Sequence, residues 1–233
     1  MVLNADYMIY YGITIVMSVI GMFISGRLQS KFKHYSTVGL RNGMSGKEIA
    51  EHMLSYYNIH DVQVVQGQGF LSDHYNPSNK TVNLSPDVFN GRSVAASAVA
   101  AHECGHAVQH ATAYTMLTLR SRIVPVVQVA SMAQQLLLMA AFMLANTFPS
   151  LLLITIIAFM ITTAFSLITL PVEFDASKRA LVWLEQSGTT TTAEHEGAKD
   201  ALKWAAMTYV SAALSSLVML IFLILRYVGL NRE

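Results

Sequence analysis

The chain has 233 residues, of which 53% are hydrophobic and 12% are charged, and its net charge at pH 7 is +1. Charged residues make up about 25% of a typical soluble domain, so the composition excludes an ordinary soluble protein. A net charge of +1 gives no indication of nucleic-acid binding, and we expect no nucleic-acid partner.

Four apolar stretches are each about 20 residues long, which is enough to cross a lipid bilayer as a helix. They cover residues 7–25, 123–145, 151–170 and 206–228. No small-residue cleavage site follows the first stretch, so we expect it to be a retained anchor. The fold class predicted from this pattern is a mainly α, multi-span helical membrane protein.

Basic residues concentrate on one side of the predicted spans. That side carries Arg27, Lys31, Lys33, Arg120, Arg122, Lys178, Arg179, Lys199 and Lys203. The opposite side carries Arg226 and Arg232. The positive-inside rule then predicts that residues 26–122 and 171–205 face the cytoplasm of a multi-pass protein in the plasma membrane.

The spans and the polar segments between them define the expected domain organisation. The parts are an N-terminal anchor (1–25), a cytoplasmic zincin-like domain (26–122), a transmembrane hairpin (123–170), a second cytoplasmic segment (171–205), and a C-terminal span with its tail (206–233).

The first cytoplasmic segment is predicted to combine helices with a small β-sheet. Ser45 and Glu48 have the spacing of a capping box, which begins a helix that runs to about Tyr57. Alternation of apolar and polar residues, together with turn signals, predicts short strands at residues 61–66, 70–75 and 80–84. If the last of these strands lies at a sheet edge, it could hold an extended peptide by strand addition. An alanine-rich helix is predicted over residues 93–113.

This last helix carries the pattern H-E-x-x-H, from His102 to His106. Residues four apart lie on one face of a helix, so both imidazoles can reach one Zn²⁺ at about 2.0–2.1 Å. Glu103 follows the first histidine directly, where its carboxylate can act as a general base towards water. The motif therefore predicts a zinc-dependent site for the hydrolysis of peptide bonds.

A catalytic zinc site requires a third protein ligand. His110 lies a further helical turn away, about 6 Å along the axis, so we do not expect it to reach the same ion. Glu173 follows the hairpin, which returns the chain to the same membrane face, and it is the favoured ligand; Asp175 is a competing carboxylate. Asp175 and Ser177 could instead orient a ligand histidine. His195, expected in the last loop, could bind metal or assist the substrate.

Hydrolysis also needs a hydrogen-bond donor for the developing oxyanion. His74, Tyr75 and His195 are candidates for that donor, and the sequence leaves the choice open.

Residues 101–107 and residues 173–176, which follow a helical hairpin, resemble the membrane-bound zinc metallopeptidases of the HtpX and CAAX-prenyl-protease type. The resemblance is closer to the smaller YugP-like group, which residues 72–77 and 84–85 also resemble.

The resemblance implies a gluzincin-like site in which His102, His106 and Glu173 bind Zn²⁺ and Glu103 is the catalytic base. This chain departs from the HtpX-type pattern at two positions. An aspartate of that pattern is Ser177 here, and an arginine is Leu170, so the roles of those two family residues are not carried over.

Together these features predict a membrane-embedded zinc endopeptidase that acts at the cytoplasmic membrane face on a peptide or membrane-protein substrate. One alternative is an intramembrane protease, because residues 94–101 are largely apolar. The other is a non-catalytic zinc-binding scaffold or adaptor, although such a protein has no use for the carboxylate of Glu103. No sequence pattern specifies an oligomeric state.

Overall fold

The computed structural model describes residues 2–69, 72–144, 148 and 150–230 of the chain. Within these residues the secondary structure is dominated by helices. The elements in chain order are α1 (Val2–Ser36), α2 (Gly46–Tyr56), β1 (Gln63–Gln66), β2 (His74–Asn76), β3 (Thr81–Leu84), α3 (Pro86–Phe89), α4 (Val94–Ala111), α5 (Thr115–Leu144), α6 (Ser150–Gln186) and α7 (Thr192–Leu230). The prediction of a mainly α, multi-span protein with a small sheet is confirmed.

Four helices of the described chain are long and apolar enough to cross a membrane, namely α1, α5, α6 and α7. Each continues beyond the apolar stretch that predicts it. Pro171 follows the third apolar stretch and lies inside α6, which continues to Gln186. A proline removes one helical hydrogen bond and does not prevent the residues after it from continuing the helix. Residues 145–147 and 149 of the predicted hairpin lie outside the described residues, as does Arg232.

The helices and strands divide into two compact units. The first contains residues 1–24, 119–170 and 208–233. Its packed centre includes Phe142, whose ring lies 5.2 Å from the ring of Tyr10. Many large apolar side chains of this unit are exposed, among them Val129 and Met132, which is the pattern expected for helices that face lipid.

The second unit contains residues 25–118 and 171–207 and has its own hydrophobic core. Ile49, Met53 and Leu54 of α2 are buried in this core. The predicted capping box is confirmed: the Glu48 amide donates to Ser45 Oγ at 3.3 Å, and the Ser45 amide donates to Glu48 Oε2 at 2.7 Å.

The sheet of this unit has the order β1-β3-β2, with β1 parallel and β2 antiparallel to β3. The condition for strand addition at residues 80–84 is therefore not met, because β3 is paired on both sides. The short turn after β2 folds that strand back onto β3, and β1 adds to the other side. The strand predicted at residues 70–75 corresponds to β2, which includes Asn76; residues 70 and 71 lie outside the described residues.

Two helix starts position the candidate site residues. α4 begins after Ser93, whose hydroxyl accepts a hydrogen bond from the Ala96 amide at 3.2 Å. α7 begins after Thr191, whose amide donates to Glu194 Oε2 at 2.6 Å while its hydroxyl accepts from the Glu194 amide. His195 therefore lies in the first turn of α7, and its expected position in a loop is wrong.

Candidate metal centre

Three side chains of the second unit converge on one point. Nε2 of His102 lies 3.4 Å from Glu173 Oε2, and Nε2 of His106 lies 3.6 Å from the same oxygen. Ligands bound tetrahedrally at about 2.0–2.1 Å from a zinc ion are separated from one another by roughly 3.4 Å. The nitrogen–oxygen distances match this spacing, so the residues fit a zinc ion. His106 and Glu173 are buried, and His102 is partly exposed.

A close approach between α4 and α6 brings Glu173 to the two histidines. Gly105 lies between Glu103 and His106, and a Cβ atom added to it would meet the Ala176 carbonyl oxygen at 2.5 Å. Only a residue without a side chain allows the helix backbones to approach this closely. Glu173 lies three residues before Ala176, which is about one helical turn.

Replacing Gly105 with alanine should therefore weaken zinc binding. The added methyl group must push α6 away from α4, at a cost of about 1–3 kcal/mol, and this moves Glu173 away from the histidines. We expect a loss of about tenfold or more in zinc affinity, measured by competition with a chelator. Gly26→Ala is the matched control, because nothing lies within 4 Å of the added atom. Equal zinc affinities of Gly105→Ala and Gly26→Ala would contradict the conclusion that the close approach of α4 and α6 positions Glu173.

His106 is oriented by a chain of hydrogen bonds behind the candidate site. Its Nδ1 lies 3.0 Å from Gln109 Oε1. The Gln109 amide nitrogen donates to the Val172 carbonyl and to Asp175 Oδ2, both at 2.8 Å. These two acceptors use both amide protons, so the amide oxygen must face His106. A neutral His106 then carries its proton on Nδ1, so that Nε2, the nitrogen that faces Glu173, is the one able to bind a metal.

Gln109→Leu should lower zinc affinity about 10–100-fold, the usual cost of losing a partner that orients a ligand histidine. Leucine nearly preserves the buried volume but cannot accept the Nδ1 proton of His106. Chelator competition measures the affinity, and Gln66→Leu on exposed β1 controls for loss of an amide. An unchanged affinity in Gln109→Leu would show that this hydrogen bond does not orient the histidine.

Ser177 supports the other histidine. Its hydroxyl lies 3.1 Å from Nδ1 of His102, the nitrogen on the opposite side of the ring from Glu173. Asp175 is not one of the convergent residues. It accepts a hydrogen bond from Arg179 at 2.6 Å and contacts His106 only through Gln109.

Glu103 is buried, and its carboxylate is fixed by the sheet. The backbone amide of Tyr75 in β2 donates to Glu103 Oε2 at 3.0 Å. Burial lowers the pKa of His106, but the nearby negative charges of Glu173 and Glu103 outweigh this effect, so the pKa is raised. The negative charge of Glu103 is thus close enough to His106 to raise the pKa of this histidine.

The other predicted residues lie around the centre without joining it. Tyr75 places its hydroxyl 2.7 Å from Nδ1 of His110, and burial raises the pKa of Tyr75 to about 12, so the phenol remains protonated. His74 is exposed and its Nδ1 lies 2.7 Å from the Ser72 carbonyl oxygen. His195 and His110 are not among the convergent ligands.

Three contributors to the site are not among the predicted residues and roles. Gln109 lies three residues after His106, a helical spacing that could have identified it. The need for glycine at Gly105 and the use of the Tyr75 amide both depend on elements distant in sequence, and no local pattern indicates them.

Known proteins resemble this chain over most of its length. The model of a family described as "Putative neutral zinc metallopeptidase" matches residues 10–228. The chain is 39% identical over 221 residues to "Putative membrane protease YugP" of Bacillus subtilis (strain 168), which covers 95% of this chain and 96% of that protein. No solved structure gives a significant match.

Proposed function

Because the chain belongs to the family of neutral zinc metallopeptidases, we propose that it is a zinc-dependent endopeptidase. The convergence of His102, His106 and Glu173 at zinc-ligand spacing is the observation that carries this proposal. These three residues would hold the ion, which when bound lowers the pKa of water and polarises the scissile carbonyl.

Glu103 would act as the general base and then as the general acid. Its carboxylate takes a proton from the attacking water and delivers it to the leaving amine. The Tyr75 amide supports this role, because it fixes one carboxylate oxygen and leaves the other available. A non-catalytic scaffold would not need an acidic side chain at this position.

Tyr75 is the favoured donor for the oxyanion among the three candidates. Neighbouring side chains of a strand point to opposite faces, and the ring of Tyr75 lies on α4, where it contacts His110. His74 consequently points away from α4. The raised pKa of Tyr75 keeps its proton available for donation.

The substrate is proposed to be an extended segment of a peptide or membrane protein. β2 is an edge strand, and its Tyr75 amide points away from β3 towards Glu103. A segment placed along this edge would lie beside the general base. β2 therefore replaces β3 as the proposed strand for substrate addition.

We place the site at the cytoplasmic face of the plasma membrane. α4 is not one of the four candidate spans among the described residues, which favours the membrane boundary over an intramembrane site. The basic residues that flank the spans support the cytoplasmic orientation.

The proposal is tested by removing and restoring the metal on the purified full-length protein. A chelator should abolish cleavage of a fluorescent unstructured polypeptide, and stoichiometric Zn²⁺ should restore it. Cleavage that persists after the metal content has fallen to zero would contradict a zinc-dependent peptidase.

A further inference from the structure

A cavity of about 470 Å³ lies between α6 and α7 within the second unit. None of the three convergent residues lines it, and neither does Glu103. Its walls are mostly apolar and are formed by Phe174, Leu181, Val182, Leu202, Ala206 and Met207. The cavity is thus separate from the candidate metal centre, although Ser177 lines it and also contacts His102.

Exposed positive charge surrounds these apolar walls. Lys178, Lys199 and Lys203 line the cavity, whereas Glu185 is the one carboxylate among its lining residues. Lys199 pairs with Glu196 at 3.3 Å, but both side chains are more than half exposed, and such a pair contributes little. The lysines therefore remain available to an anionic group.

The cavity begins where the two helices leave their apolar stretches. Phe174 lies four residues after Leu170, the last residue of the predicted third span, and Met207 lies in the first turn of the predicted fourth span. Lipid head groups and the adjoining acyl segments occupy this level of a membrane.

We propose that this cavity binds an anionic phospholipid, with part of an acyl chain on the apolar walls and the phosphate on the lysines. Basic clusters beside membrane helices attract anionic lipids, and lysine binds phosphate as a point charge. A peptide is a poorer occupant. The walls offer few hydrogen-bond partners, so a buried peptide backbone would leave polar groups unsatisfied.

Native mass spectrometry of the detergent-purified full-length protein tests the proposal. The probe is an equimolar mixture of phosphatidylglycerol and phosphatidylcholine with identical acyl chains. We expect one phosphatidylglycerol to be retained in preference to phosphatidylcholine. The combined variant Lys178→Gln, Lys199→Gln, Lys203→Gln should lose this preference, with a fall of about fivefold in affinity for each lysine.

A matched triple variant separates the cavity from the general effect of basic charge. Lys33→Gln, Arg120→Gln, Arg122→Gln removes the same charge beside the spans but none of the lining residues, and it should retain the lipid. Val182→Trp fills the cavity while the lysines stay in place, and it should also lose the lipid. Val182 is 36% exposed, so the larger side chain can be accommodated on folding.

Three outcomes would overturn the inference. These are equal retention of the two lipids by the wild-type protein, equal losses in the two triple variants, or retention undiminished by Val182→Trp. A co-purified peptide displaced by the same substitutions would likewise assign the cavity to a polypeptide and contradict a lipid site.

Discussion

Replacing Glu103 with glutamine is expected to reduce peptide cleavage about 10²–10⁴-fold, the usual contribution of a general acid–base group. Glutamine keeps the shape of the side chain, and its amide oxygen can still accept the hydrogen bond from the Tyr75 amide. It cannot take a proton from water at neutral pH. The loss should therefore appear in kcat, while the zinc content and the thermal unfolding temperature stay close to those of the wild-type protein.

The control for this variant is Glu51→Gln, which removes an exposed carboxylate that pairs with Lys47 on α2. It should cleave the same substrate at the wild-type rate. Undiminished cleavage by Glu103→Gln, with its metal still bound, would remove Glu103 from the mechanism.

Replacing Glu173 with alanine is expected to abolish both zinc retention and activity. The substitution removes the oxygen that lies within 3.6 Å of both ligand nitrogens, and no other carboxylate of the described chain joins the group. The affinity should fall by more than the roughly 10–100-fold that follows loss of an orienting partner. Elemental analysis after dialysis measures the number of zinc ions per chain.

Glu185→Ala provides the comparison, because Glu185 is an exposed glutamate on the same helix, α6. It should bind one zinc ion per chain. If Glu173→Ala kept the same stoichiometry and affinity as Glu185→Ala, the third ligand would have to be a different residue.

Local spacing made much of the site predictable. His102 and His106 lie one turn apart on a single helix, so their shared face follows from helix geometry alone. Glu173 is predicted from the hairpin, which returns the chain to the same membrane face, and the resemblance to the YugP-like group, which the comparisons confirm, implies the same ligand. The structure brings all three residues together.

Contacts between elements distant in sequence decide the strand order of the sheet, which local sequence patterns do not specify. The position of β3 at the centre of the sheet depends on β1 joining it in parallel, and an alternating pattern does not state which strands pair. The loop expected around His195 is an error of a different kind, because Thr191 and Glu194 have the local spacing of a capping box, which indicates a helix start.

The H-E-x-x-H motif leaves two positions unspecified, which are occupied here by Cys104 and Gly105. These two residues have different roles in packing. Cys104 is fully buried with its Sγ directed at the Ala50 carbonyl oxygen, 3.5 Å away, and burial raises the pKa of its thiol. A thiol that stays protonated and faces α2 is not available to the metal.

X-ray absorption at the zinc edge of the purified full-length protein tests the metal centre most directly. The expected spectrum shows one zinc ion per chain with nitrogen and oxygen ligands at about 2.0–2.1 Å, including two imidazoles, and no sulfur. A folded protein that retains no zinc, or a sulfur ligand at about 2.3 Å, would contradict the site formed by His102, His106 and Glu173.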